Sequence, residues 1–135
     1  MDCIFCNIVD GKIPSRKIAE TEKSLAFLDA FPLTKGHTLV IPKKHYVKIQ
    51  ELNKEENADL FEIVRILTEK MERLAPSSLV AVHNGKESGQ EIPHVHIHII
   101  PRNTNDSVGP VHTMFSHRPT LTNDEFNYIA EKLRK

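Results

Sequence analysis

The chain has 135 residues, 39% of them hydrophobic and 27% charged, with 18 basic residues balanced by 18 acidic ones for a formal net charge of zero. That size and composition predict one folded domain, residues 1–135, with a core of its own, and the charge balance argues against a broad electrostatic nucleic-acid binder. No apolar run approaches a membrane span and the N-terminus lacks the basic-then-apolar layout of a secretory signal, so a cytoplasmic protein without a membrane partner is the expectation.

In chain order, Cys3 and Cys6 form a Cys-x-x-Cys whose thiols read as metal ligands or a redox pair rather than a structural disulfide. Val9-Asp-Gly-Lys-Ile-Pro14 predicts a turn. Residues 16–21 and 24–29 are short and roughly alternating, and Glu22-Lys23 between them suggests a hairpin. A loop with Pro32 and Gly36 leads to a third strand, residues 37–42, closed by Pro42. Asn53 followed by Glu56 is a capping-box start for a long helix. Its stripe of Leu60, Val64, Leu67, Met71 and Leu74 faces a core, Glu62, Arg65, Glu69 and Glu72 lie opposite, and Pro76 ends it. Residues 78–84 predict a fourth strand, residues 85–91 a loop with two glycines, and residues 94–100 a fifth strand. Beyond an irregular stretch over 102–119, Thr122 and Glu125 repeat the capping signal for a last helix with Phe126, Ile129, Ala130 and Leu133 on one side. Strands and helices intermix without regular alternation, which places the chain in the α+β class with a mainly antiparallel sheet.

The fifth strand carries the chemistry. It reads His94-Val-His96-Ile-His98-Ile-Ile, so three imidazoles share one face and the β-branched residues share the other. Adjacent histidines bring nothing to sheet stability and are costly to bury unpaired, so a metal or an imidazole-dependent reaction is the reason to place them there. A catalytic zinc normally takes three protein ligands and leaves one position open, yet no suitably placed carboxylate accompanies this row; Glu91, in a loop before Pro93, is the nearest. A nucleophilic imidazole attacking phosphorus fits the surroundings better. The preceding loop offers backbone N–H groups at Gly89 and Gln90 and the side-chain amides of Asn84 and Gln90 for phosphoryl oxygens.

The segment 94–100 matches the His-φ-His-φ-His-φ-φ signature (φ apolar) of the histidine-triad, or HIT, family of nucleotide hydrolases and transferases. Ser24-Leu-Ala-Phe-Leu-Asp29, Gly36-His37-Thr-Leu-Val-Ile-Pro-Lys-Lys-His45, and Asn84-Gly85 through Gly89-Gln90 resemble the family's other blocks in the usual order. The likeness covers residues 3–102, leaving 103–135 as a C-terminal loop and helix, and it is strongest to the Hint branch in its bacterial and archaeal form. The resemblance implies a five-stranded antiparallel sheet with one long and one C-terminal helix, in a two-fold homodimer formed through the long helix and the fifth strand. It also implies an enzyme that works at the α-phosphate through a nucleotidyl-histidine intermediate. Adenosine or guanosine phosphoramidates, or related conjugates, would be hydrolysed to the nucleoside monophosphate. A dinucleoside polyphosphate hydrolase, a binding module with little turnover and a metallohydrolase using the triad as ligands are the other readings.

By the same resemblance, His96 is the nucleophile, His98 donates to phosphoryl or bridging oxygen, His94 orients His96 through its carbonyl, and His37 supports from behind. Asn84, Gly89 and Gln90 line a phosphate pocket, Asp29 accepts from the ribose hydroxyls, and Phe5, Ile8, Phe27 and Leu28 surround a purine base. Relatives with the N-terminal Cys-x-x-Cys hold structural zinc at positions matching Cys3, Cys6, His45 and His94; no organic cofactor is implied. Two features depart from the animal pattern. Glu91 replaces a serine that touches the leaving group, and the longer C-terminal segment carries His112, Met114, Phe115 and His117, candidates for reaching a neighbouring subunit's pocket.

Overall fold

Alternation of apolar residues through the middle of the chain produces one five-stranded antiparallel sheet. Its strands are β1 (Lys17–Glu20), β2 (Ser24–Leu28), β3 (Thr38–Pro42), β4 (Ser77–Ala81) and β5 (Ile97–Arg102), in the spatial order β1-β2-β3-β5-β4. The computed structural model describes residues 2–135. Register sorts the side chains into two layers. Leu25 pairs with Ile41, Phe27 with Leu39, and Leu39 with His98, so these share one face; Ala26, Val40 and Ile97 share the other.

The second face is covered by helix α2 (Lys54–Met71). The Asn53–Glu56 capping box closes in both directions, and Leu60, Ile63, Val64, Leu67 and Met71 pack on Ala26, Val40, Val95, Ile97 and Ile99. Asp59 on α2 accepts from the hydroxyls of Thr21 and Ser24 at 2.7 Å each and ties the β1–β2 hairpin to the helix. The expected stripe changes at two points: the helix ends at Met71, before Pro76, so Leu74 lies beyond it and 61% exposed, and Ile63 joins the buried residues. Leu74 instead rests over Gly36, where φ is +95° and an added Cβ would come within 2.5 Å of its side chain. The turn into β3 therefore requires glycine.

The first face is covered near its centre by α1 (Ile4–Val9), where Phe5 and Ile8 meet Leu25, Phe27, Leu39 and Ile41. Six residues are too few to show a helical period, so this element was not expected from the sequence. Two strands are shorter at one end than their patterns suggest. β5 begins at Ile97, because the backbone N–H of Val95 donates to the carbonyl of Tyr46 and that of His94 to Ile92 instead of to a neighbouring strand. β4 correspondingly stops at Ala81. Because β5 is bonded to β3 on one side and β4 on the other, neither of its edges is available to a second copy. The free edges belong to β1 and β4, which corrects the dimer contact expected of the fifth strand.

Helix α3 (Asn123–Arg134) forms with its Thr122–Glu125 capping box, but none of its residues is buried, and Phe126, Ile129 and Leu133 face outward. His112, Met114, Phe115 and His117 are exposed and take no part in the cavity described below.

Candidate active site

The first face of the sheet, α1 and the loops at residues 29–37 and 83–92 enclose a cavity of about 560 Å³. Phe5 and Ile8 reach it from α1, Phe27, Leu28 and Asp29 from the end of β2, His37 from just before β3, His96 from just before β5 and His98 from within β5. The ring of Phe5 stands edge-on to those of Phe27 and His96, with centroids 5.8 and 5.0 Å away.

Hydrogen-bond partners assign each imidazole its proton. A backbone carbonyl only accepts and an amide N–H only donates. The Nδ1 of His96 lies 2.7 Å from the carbonyl oxygen of His94, so Nδ1 carries the hydrogen and Nε2 keeps a bare lone pair. A second chain runs the other way. Leu33 N–H donates to His37 Nδ1 at 3.0 Å, which puts the hydrogen of neutral His37 on Nε2. That nitrogen donates to His98 Nδ1 at 2.9 Å, leaving His98 with its hydrogen on Nε2. The cavity thus holds an acceptor nitrogen on His96 and a donor N–H on His98, their rings 5.0 Å apart.

Burial keeps these rings neutral. It pushes the pKa of His98 down to about 4, aided by the neighbouring imidazoles of His96, His37 and His83, while Asp29 opposes the shift. His96 and His37 are lowered for the same first reason; the carbonyl of His94 and Asp29 pull back on the former, Asp29 on the latter. A neutral imidazole is the form that has a lone pair to give.

His94 points elsewhere. Its Nε2 donates to the carbonyl of Pro42 at 2.9 Å, so its Nδ1 lone pair faces Cys3 Sγ at 3.5 Å and Cys6 Sγ at 3.6 Å. His45 Nδ1 lies 3.3 Å from Cys6 Sγ, and one ligand atom from each of the four residues falls within 4.8 Å of the others. Both cysteines are free thiols. Burial and the adjacent Cys3 push the Cys6 thiol up, a state that a bound dication reverses by taking the thiolate. Two sulfurs and two oriented imidazole nitrogens are the donor set of a closed tetrahedral zinc site, with no position left for substrate. Asp29, His37 and His98 also cluster, but the His37–His98 hydrogen bond occupies the nitrogens that a metal would need. The three triad rings do not converge on one point, which removes the metallohydrolase reading.

Two residues expected in the phosphate pocket have other work. Asn84 accepts from Ile49 N–H at 2.9 Å and donates to Gln50 Oε1 at 3.0 Å. The buried Gln90 accepts from Gly85 N–H at 2.9 Å and donates to the carbonyls of Val47 and Ile92. Both side chains brace the 85–92 loop, and neither lines the cavity. Even the backbone N–H of Gly89 is spent on Lys86 O at 3.0 Å, although Gly89 itself borders the cavity. His83 stands there instead, its ring 5.7 Å from that of His98. Ala81 pairs with His98, so two residues further on an extended chain comes opposite His96. That register was the missing signal, since His-Asn-Gly by itself reads as a turn.

A sequence profile of the HIT domain matches residues 10–105. The chain is 48% identical over 103 residues to an adenosine 5'-monophosphoramidase of Schizosaccharomyces pombe, spanning 76% of this chain and 75% of that protein. Among solved structures, a HIT family protein of Bacillus subtilis superposes with a TM-score of 0.87 at 32% identity, covering 99% of this chain and 96% of that one. A zinc-bound histidine triad family protein of Mycobacterium smegmatis superposes with a TM-score of 0.76 at 35% identity, covering 81% of each. Among the described residues, no helix is long and apolar enough to cross a membrane.

Proposed function

This chain belongs to the HIT domain family, and from that premise we propose that it is a nucleotide hydrolase that cleaves purine nucleoside phosphoramidates to the nucleoside monophosphate. The observation that carries the reading is the 2.7 Å bond from His96 Nδ1 to the His94 carbonyl, which leaves Nε2 as an unprotonated nucleophile inside the cavity. In the first step that lone pair forms a bond to the α-phosphorus. The phosphorus–nitrogen bond to the leaving amine breaks, and the amine departs with the bonding pair and takes a proton from solvent. Water then attacks the phosphohistidine and gives up a proton to solvent, the P–Nε2 bond breaks with its pair returning to His96, and the monophosphate leaves. Throughout, the His98 N–H faces the phosphoryl oxygens, held by His37, and the His94 carbonyl stabilises the charge that builds on the His96 ring.

Asp29 and the apolar group of Phe5, Ile8, Phe27 and Leu28 take the ribose and the base. Their apolar character supports loose discrimination between adenine and guanine. Cys3, Cys6, His45 and His94 hold a zinc ion that pins the N-terminal segment to the sheet and stays outside the reaction. The chain acts as one HIT domain and as a two-fold dimer in the cytoplasm, its C-terminal segment reaching the second copy.

Incubation with adenosine 5'-phosphoramidate should release AMP, and His96→Asn should abolish release while AMP binding persists. Undiminished turnover by that variant would remove His96 as the nucleophile. Metal analysis of protein purified without chelator checks the zinc: less than about a tenth of an equivalent per chain would exclude it.

A further inference from the structure

Three side chains of fixed charge border the cavity: Arg16, Asp29 and Glu91. Arg16 belongs to the nucleoside end, since its carbonyl accepts from Leu28 N–H at 3.0 Å and Ile13, Pro14 and Ser15 precede it. Asp29 sits at that end too, with one oxygen taken by Phe31 N–H at 2.8 Å and the other 3.7 Å from His37 Nε2. Glu91 comes instead from the 83–92 loop. It follows the braced Gly89-Gln90 pair and borders the cavity beside Ile92 and His83, the ring that meets His98.

Three observations give this carboxylate a free field. Among the described residues it makes no ion pair and no hydrogen bond, although the hydrogen-bonded loop on which it sits fixes its backbone. No lysine of this loop lines the cavity: Lys86 lies outside the lining, as does Lys48, which rests over Gly85 beside Glu87. Burial holds the nearby His98 ring neutral, so that ring adds no positive charge. With the nucleoside taken by Phe27, Leu28 and Asp29, the wall of the cavity left for the leaving group is the one that carries His83 and Glu91. Along the lining of this wall a leaving group meets one fixed negative charge and no fixed positive one.

We propose that Glu91 is a specificity-determining residue that selects nucleotide conjugates whose departing amine carries a second, positively charged nitrogen, as a diamine does, over neutral or anionic leaving groups. This rests on the phosphoramidase reading above. The contact is electrostatic and partly solvated, which sets its size at about threefold to tenfold in rate for each unit of leaving-group charge. The same term weighs against dinucleoside polyphosphates, whose leaving group is a polyanion.

Three adenosine 5'-phosphoramidates of similar length test it: those of 1,3-diaminopropane, n-butylamine and β-alanine. In dilute buffer kcat/KM should fall in that order, by about threefold to tenfold at each step, and the spread should narrow as salt is added. Glu91→Gln should collapse the spread and Glu91→Lys should invert the order. Equal rates on all three substrates, or a spread that survives Glu91→Gln, would overturn the role of Glu91 and leave the phosphoramidase reading standing. Absence of hydrolysis with all three would overturn the phosphoramidase reading itself.

Discussion

His94 and His96 are two residues apart on one extended segment, both buried and both neutral, yet their rings offer different nitrogens to different partners. At His96 the carbonyl of His94 takes the Nδ1 hydrogen, and the lone pair at Nε2 enters the cavity. At His94 the carbonyl of Pro42 takes the Nε2 hydrogen, and the lone pair at Nδ1 faces two thiols. An imidazole's role is therefore set by whichever acceptor claims its one hydrogen, not by its place in a motif. A difference of one carbonyl partner decides whether a lone pair enters the cavity or faces two thiols.

The largest effect that sharpens this contrast is expected at His96. His96→Asn should lower kcat/KM for adenosine phosphoramidate by at least about 10⁴-fold, with little change in the thermal transition. His98→Gln removes only a donor and should cost about 10²- to 10³-fold. His37→Phe, which cuts the chain that orients His98, should cost about 10-fold through kcat more than KM. AMP release under saturating and limiting substrate measures all three. A loss at His37 as large as that at His96 would mean that the two do not belong to separate chains.

The other cluster should respond in stability. If zinc is held there, treatment with a chelator, or replacing both thiols with Cys3→Ser and Cys6→Ser, should lower Tm by about 10 °C. The kcat of the protein that stays folded at 15 °C should fall by less than about fivefold. Differential scanning calorimetry beside the AMP assay separates the two readouts. If kcat collapses while Tm holds, the metal belongs to the chemistry and the division between the clusters fails.

The smallest effect is with pH. An imidazole titrates near about 6.5 in an unfolded chain, and His98 titrates at about 4 in the fold. Between those values the unfolded chain binds the extra proton, so acid favours unfolding and stability falls as pH drops from 6.5 toward 4. His98→Gln should make that fall shallower, read as urea midpoints between pH 7 and 4.5. An unchanged slope would show that His98 is not held neutral.

Most of the sheet could be read along the chain because its signals are local. The alternation at residues 24–28 and 38–42 and the capping boxes at Asn53 and Thr122 each lie within a few residues of the element they define. Helix α1 escaped notice for the opposite reason, being one and a half turns whose apolar pair, Phe5 and Ile8, gains meaning only against Leu25 and Phe27. At Asn84 and Gln90 the chain shows an amide beside a glycine-rich loop, the look of a phosphate donor, and not the partners those amides take. In the fold their hydrogen bonds go to Ile49, Gln50, Gly85, Val47 and Ile92, residues as far as 43 positions away. His83 was overlooked because its neighbours in sequence suggest a turn, whereas its neighbours across the sheet are the triad.

The period-two row of imidazoles, the α+β class, the capped helix and the family can be read along the chain, because these depend on residue type and spacing alone. Which nitrogen each histidine presents, which polar side chains are free, and which wall of the cavity carries Glu91 follow from the folded arrangement. Those properties depend on a partner such as the Pro42 carbonyl, 52 residues from His94. Spacing along a chain says nothing of which distant acceptor will be there when it folds.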